Sequence, residues 1–334
     1  MKISKTSYIL LTIILLISIS IVSCSTTKTV IETEQIQKID LRLEWFHHAQ
    51  FAGFYAAKDK GFYAEENLEV NFEQGGTGLA PIPLVISGSE QFGLAEADQI
   101  LLAREQGIPV VPLVTIYRKS PLVWFSLASS NITEPKDFEG KKVGSWPDTE
   151  ALFETLMKKA GVDESKVEQV PVKYDVTPIL TGQVDVFPGF IIYEPIVVQE
   201  KGYDVNLIWP SDYGINFYSM TLFTSEKLLK EQPELVDKFV IATLEGWDYT
   251  FVNPSEIANV TVHYSDELEY DFEYKKILAS EELVKPDNLA IGCMQKSVWE
   301  DMQDILLEQG VMEKSIDLDA MLLYKPGVDD GCSS

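Results

Sequence analysis

The stretch K-I-D-L-R-L-E-W-F-H-H-A-Q-F-A-G-F-Y-A-A-K-D-K-G, residues 38–61, changes its hydrophobic period once, and that change decides the fold. Ile39, Leu41, Leu43 and Trp45 recur every second residue, as in a strand with one buried face. From Gln50 to Lys60 the apolar positions shift to helical spacing, and Gly61 follows as a stop. The alternation continues outward. Strands are expected at 68–72, 92–95 and 110–117, with a short helix opening at Pro81 and another over 97–105. A second unit begins near Ser120-Pro121, with strands at 122–127, 142–146, 167–172, 184–187 and 205–209 and a helix at 149–160 closed by Gly161.

Strands separated by helical crossovers imply an α/β fold with parallel sheets covered on both faces. After Met220 the texture turns to long helices over 233–252, 266–283 and 296–309. Those helices need a surface, and the simplest arrangement returns them to the first unit. Lobe 1 is then 38–118 plus 222–325, lobe 2 is 119–221, and two chain crossings make a hinge that closes around a ligand.

Composition narrows the function. Of 334 residues, 46% are hydrophobic and 11% aromatic, as in a packed protein. Lys and Arg number 27 against 52 Asp and Glu, a net charge of −25 that disfavours nucleic acid and anionic lipid surfaces. Residues 1–23 read as an export signal: Lys2 and Lys5, an apolar run from Tyr8 to Val22, then I-V-S-C ending at Cys24. That ending resembles the bacterial lipobox, which implies lipid attachment at Cys24, a polar tether over 24–37 and an extracytoplasmic, lipid-anchored location. Cys293 and Cys332 then remain, as a disulfide or as two thiols.

Several separated segments carry a family resemblance: residues 43–63 within the opening stretch, Q-F-G-L-A-E-A-D-Q-I-L-L-A-R-E-Q-G-I-P-V (91–110), F-E-G-K-K-V-G-S-W (138–146), I-I-Y-E-P (191–195) and D-Y-G-I-N-F-Y-S-M-T-L-F (212–223). In that order they resemble the thiamine-pyrimidine-precursor family of solute-binding proteins, which also contains the pyrimidine synthase of thiamine biosynthesis. The resemblance implies a two-lobed periplasmic-binding fold of the second topological type, working as a monomer beside the permease and ATPase subunits of an ABC importer. The expected ligand is a small planar heterocycle, an aminopyrimidine thiamine precursor first and riboflavin or another aromatic solute second, taken up or sensed.

Ligands of parallel sheets sit beyond the carboxyl ends of the strands. Trp45 and Phe46 are expected to end the first strand there, with His48, Gln50 and Tyr55 entering the helix that follows. Adjacent histidines on one turn point apart, so His47 and His48 do not suggest a metal site. Asp98 opens a helix, where it either complements the helix dipole or reaches the cleft. Trp146 ends a strand of the second unit, and Tyr213 is a candidate aromatic wall. Tyr193 and Glu194 lie in a segment where the family places a pyrimidine-contacting glutamate; a carboxylate accepts from an exocyclic amine and a protonated ring nitrogen together. Gly75-Gly76-Thr77-Gly78 lacks the lysine and spacing of a phosphate loop and reads as a turn. Glu44 stands where pyrimidine binders often carry asparagine.

The synthases use a pyridoxal-bearing lysine and a histidine of their own chain. The corresponding segment, Gly93 to Gln99, has Ala95 and Gln99 at those places, and no cysteine lies between Cys24 and Cys293. The sequence therefore reads as a binder without cofactor or catalysis.

Overall fold

A computed structural model describes residues 35–286 and 289–329. The expected signal peptide, Cys24, most of the tether and Cys332 lie outside the described residues. Cys293 is disulfide-bonded. Among the described residues no helix is long and apolar enough to cross a membrane.

Among the described residues ten strands form two five-stranded sheets. The first has the order β2-β1-β3-β10-β4, from β1 (Gln37–Arg42), β2 (Leu68–Glu73), β3 (Phe92–Ala95), β4 (Val110–Tyr117) and β10 (Ser219–Ser225). The second has the order β7-β6-β8-β5-β9, from β5 (Leu122–Leu127), β6 (Lys142–Ser145), β7 (Glu168–Pro171), β8 (Val186–Phe190) and β9 (Val205–Ile208). All eight residues of β4 are buried, as an unbroken apolar run between two covered faces requires.

The sheets are mixed rather than wholly parallel. β10 runs antiparallel to β3 and β4, and β5 runs antiparallel to β8 and β9. Each is the strand by which the chain enters a sheet from the other one. No helical crossover precedes it, so nothing imposes the parallel direction. The sequence reading placed the helical texture from Met220 onward and so missed most of β10, a seven-residue strand with six residues buried. The chain passes to the second sheet over residues 118–121 and returns over 209–218, so the return lies upstream of the expected 221/222 boundary.

Helices flank both sheets: α1 (Ala52–Asp59), α2 (Pro81–Ser87), α3 (Ala97–Glu105), α4 (Glu150–Ala160), α5 (Glu194–Glu200), α6 (Pro233–Val252), α7 (Pro254–Thr261), α8 (Tyr270–Val284) and α9 (Lys296–Glu308). The last four return to the first sheet: the rings of Phe92 on β3 and Phe239 on α6 stack at 4.1 Å. α1 lies so close on α6 that a Cβ on Gly246 would stand 2.2 Å from the Gly53 carbonyl oxygen.

The two passages meet. Lys119 places its ammonium 3.4 Å from the Trp209 ring centroid and 2.6 Å from Glu282 of α8, while the backbone N–H of Arg118 donates to the Leu283 carbonyl at 2.8 Å. This gives the two-lobed α/β architecture a linker clamped against the first lobe.

Candidate functional site

β1 stops at Arg42, short of the expected end at Trp45 and Phe46. The cause is the glycine turn. Leu43 N–H still donates to the Glu73 carbonyl at 2.9 Å, but then Gly75 N–H donates to the Trp45 carbonyl at 3.0 Å. A Cβ on Gly75 would stand 2.3 Å from the Leu43 carbonyl oxygen, and Gly76 adopts φ +144° with the Phe46 ring against it. Only glycine lets the two backbones approach this closely. The loop so held presents Trp45 and Phe46, each 47% exposed, with ring centroids 5.5 Å apart and edge to face.

Beside this pair three carboxyl groups gather at the carboxyl ends of β1 and β3. Gln50 Nε2 donates to Glu44, and Ser219 Oγ donates to Glu96 at 2.9 Å. Asp98 accepts from its neighbour Gln99 N–H at 2.7 Å. All three side chains keep some exposure. Surrounding protein still withdraws solvent from them: burial pushes the Glu44 carboxyl up to about 7, against the Gln50 hydrogen bond. Glu96 is held well above the usual range by burial first and then by the charges of Glu44 and Asp98, and burial raises Asp98.

His48 caps the short turn Ala49–Phe51, its Nδ1 accepting from Gln50 N–H at 3.4 Å. Burial, then the charges of Lys276 and His47, push it down to about 3, so it is neutral and carries its proton on Nε2, which has no partner. Tyr55 is fully buried: its hydroxyl lies 2.8 Å from His47 Nδ1 and its ring stacks on Tyr264 at 3.8 Å. Through these contacts it supports the loop.

The second lobe supplies an open cavity of about 430 Å³ between Tyr174, Thr177, Tyr193, Glu194 and Lys201. That is within the range that holds a small ligand. Glu194 is 3% exposed, and its Oε2 accepts from Phe190 N–H at 2.8 Å, so this carboxylate closes the strand-to-helix turn as well as lining the cavity. Burial raises it against its backbone hydrogen bonds. Trp146 is buried behind the cavity, against Tyr174 at 4.5 Å and Phe190 at 5.9 Å. The exposed ring is Tyr174, three residues past the carboxyl end of β7, which the sequence reading passed over although the same strand-end rule identifies it. Tyr213 lies apart, on the return passage with Glu134, Asp212 and Asp137 as the charges acting on it.

The half-sites meet through α8. Tyr193 packs edge to face on Phe272 at 5.5 Å, and Lys276 Nζ lies 5.3 Å from the Tyr193 ring centroid. Lys276 donates to Glu273 Oε1 at 2.7 Å, and Glu273 Oε2 accepts from Ala49 N–H at 2.6 Å. This ion pair is nearly inaccessible, and neither member was singled out from the sequence, where a helical Glu/Lys pair looks solvated. Among the described residues no cluster of three or more His, Cys, Asp or Glu is arranged to hold a metal ion. The surface offers flat rings and acceptor oxygens, a match for a planar molecule rich in N–H groups.

Comparison with known proteins agrees with the fold. The chain is 29% identical over 299 residues to the formylaminopyrimidine-binding protein of Halalkalibacterium halodurans, covering 86% of this chain and 90% of that protein. It is 25% identical over 295 residues to the riboflavin-binding protein RibY of Chloroflexus aurantiacus, covering 85% and 84%. The crystal structure of the periplasmic aliphatic sulphonate binding protein SsuA from Escherichia coli superposes with a TM-score of 0.68 at 13% identity, over 85% of this chain and 91% of that one. The family model described as NMT1/THI5 like matches residues 48–257, and the chain belongs to that family.

Proposed function

We propose that this protein captures a small planar heterocycle, an aminopyrimidine of the thiamine-precursor type, between its two lobes and passes it to an ABC importer. The observation that carries this reading is the Trp45–Phe46 pair, exposed at a strand end beside Glu44 and Glu96. Rings of that kind left in water at the mouth of a fold are positioned to stack. The relative named for formylaminopyrimidine binding supports the ligand class. Lipid attachment at Cys24, an extracytoplasmic location, a monomeric state and permease and ATPase partners belong to the same proposal. Ala95 and Gln99, where the synthases need lysine and histidine, support binding without catalysis.

A riboflavin-type solute is the second reading, favoured by the relative RibY. A thermal-shift screen of full-length protein in detergent against pyrimidines, flavins and aliphatic amines separates the two. A ligand at 100 times its Kd adds about 2.7 kcal/mol to stability, and the melting temperature rises accordingly. The first reading requires a pyrimidine to give the largest shift. A shift from no heterocycle overturns both.

A further inference from the structure

The cavity of the second lobe is a groove between two walls. One wall is α5, where Glu194, Val197 and Lys201 recur three and four residues apart and so share one helix face. The other is the segment 174–181, which brings Tyr174, Asp175, Thr177 and Thr181 to the groove. Val176 is buried, Leu180 and Val197 pack on the core, and the three make an apolar floor. From Glu194 to Lys201 the helix rises about 10 Å, enough for a flat ring with a short side chain. The volume of about 430 Å³ agrees with an occupant of that length.

The two ends of the groove differ in chemistry. At one end Tyr174 and Tyr193 offer exposed aromatic faces. Beyond them the rim is polar. Asp175 Oδ1 accepts from Thr177 N–H at 3.1 Å and from Thr177 Oγ1 at 2.8 Å, and Thr181 Oγ1 donates to the Thr177 carbonyl at 2.9 Å. Both threonine protons are thereby used inside the protein, and the two hydroxyl oxygens remain as acceptors. Among the described residues the Lys201 ammonium has neither a hydrogen-bond nor an ion-pair partner, so it remains a donor. A cationic substituent here would meet Lys201, and an anionic one would meet Asp175. A hydroxyl group both donates and accepts, so it suits this rim, while its carbon stem suits the apolar floor.

We propose that the ring of the ligand bears an uncharged hydroxylated side chain and that this groove is the subsite for it, with Lys201 donating to the chain and Asp175, Thr177 and Thr181 accepting from it. This rests on the heterocycle site proposed above and narrows its ligand class, whichever ring that site takes. A site built to hydrogen-bond a hydroxyl rejects the analogue that lacks one, because its polar groups are then left without partners.

The test is calorimetric titration of the full-length protein in detergent with two matched sets of probes. The pyrimidine set is 4-amino-5-hydroxymethyl-2-methylpyrimidine, 4-amino-2,5-dimethylpyrimidine and the phosphate ester of the alcohol. The flavin set is riboflavin, lumiflavin, which carries a methyl group in place of the chain, and riboflavin 5′-phosphate. In each set that binds, the alcohol is expected to bind at least tenfold more tightly than the chainless ring and more tightly than the ester. Lys201→Met, at an exposed position, is expected to cut the first ratio to below threefold while the chainless ring stays within twofold of wild type. Simple misfolding does not produce that contrast. Equal binding of alcohol and chainless ring, an ester that binds as well as the alcohol or better, or an unchanged ratio in Lys201→Met overturns the side-chain assignment and leaves the heterocycle reading standing. Binding of none of the six overturns the heterocycle reading itself.

Discussion

The Ser219 hydroxyl donates to Oε1 of Glu96 at 2.9 Å. Ser219 is the first residue of the strand that returns from the second lobe, and its carbonyl accepts from Thr115 Oγ1 at 3.2 Å. The acid at the end of β3 is thus oriented by the chain segment that also forms one side of the interlobe linker. Lobe geometry and carboxylate geometry are mechanically joined through one hydroxyl.

Replacing Ser219 by Ala removes the hydroxyl that donates to Glu96. The carboxyl should then rise further, because burial and the charges of Glu44 and Asp98 already favour its protonated form. A lost hydrogen bond of this kind is worth about 1 kcal/mol, or roughly fivefold in affinity for the pyrimidine that the screen returns. The melting temperature should stay within a few degrees of wild type. Unchanged affinity in a folded variant would remove Glu96 from the site.

Glu44 predicts a pH dependence with a definite sign. Its carboxyl stands at about 7 in the folded protein against an ordinary 4.5. A group raised in this way contributes stability that is fully present below about 4.5 and is lost as pH climbs through about 7. Glu96 acts in the same direction. The half-buried carboxylate of Glu139, held at about 2 by Lys136 and Lys166, acts in the opposite direction, but only well below this window. Melting curves of unliganded protein between pH 4.5 and 8 should therefore fall less steeply in Glu44→Gln than in wild type, and parallel curves would contradict the assignment.

The Glu273–Lys276 pair should respond unequally to single and double substitution. Glu273→Ala strands a buried ammonium whose pKa burial already lowers, and it removes the acceptor of Ala49 N–H. Breaking a buried pair in this way costs about 3–5 kcal/mol. The double variant Glu273→Leu/Lys276→Met leaves no orphan charge and should recover a large part of that loss in urea unfolding. It should still bind ligand poorly, because the turn that carries His48 has lost its anchor.

Much of this fold is legible along the chain because it is local. The strands at 92–95, 110–117 and 122–127 and the helices at 97–105 and 233–252 stand where the periodicity puts them. What sequence does not show is non-local. The seven residues of β10 are a strand because β3 and β4 hydrogen-bond to both of its edges. Among the candidate site residues, Trp45 and Phe46 are exposed, Tyr193 and Glu194 border the cavity of the second lobe, and Asp98 follows the carboxyl end of β3. Tyr55 and Trp146 were read from strand-end and helix-entry positions, yet each sits beneath the surface because another ring, Tyr264 or Tyr174, packs over it. Glu273 and Lys276 join the site across more than 220 residues of chain, a separation that no periodicity reports.

The approach of α1 to α6 gives the last prediction. A Cβ on Gly246 would meet the Gly53 carbonyl oxygen at 2.2 Å and the Ala57 N at 2.7 Å, both backbone atoms that cannot swing aside. Gly246→Ala must therefore push the two helices apart, at a cost of about 1–3 kcal/mol for an overpacked contact. α1 follows directly on the turn that holds His48 and Gln50, so the displacement should carry into the Gln50–Glu44 hydrogen bond and weaken the ligand severalfold. Gly161→Ala provides the contrast. Gly161 ends α4 at φ +65° with no atom within 4 Å of an added Cβ, so alanine there pays only backbone strain of about 1 kcal/mol. Urea midpoints should fall in both variants, but affinity should fall only in Gly246→Ala. Equal ligand affinity in the two would show that the helix contact supports the fold without positioning the site.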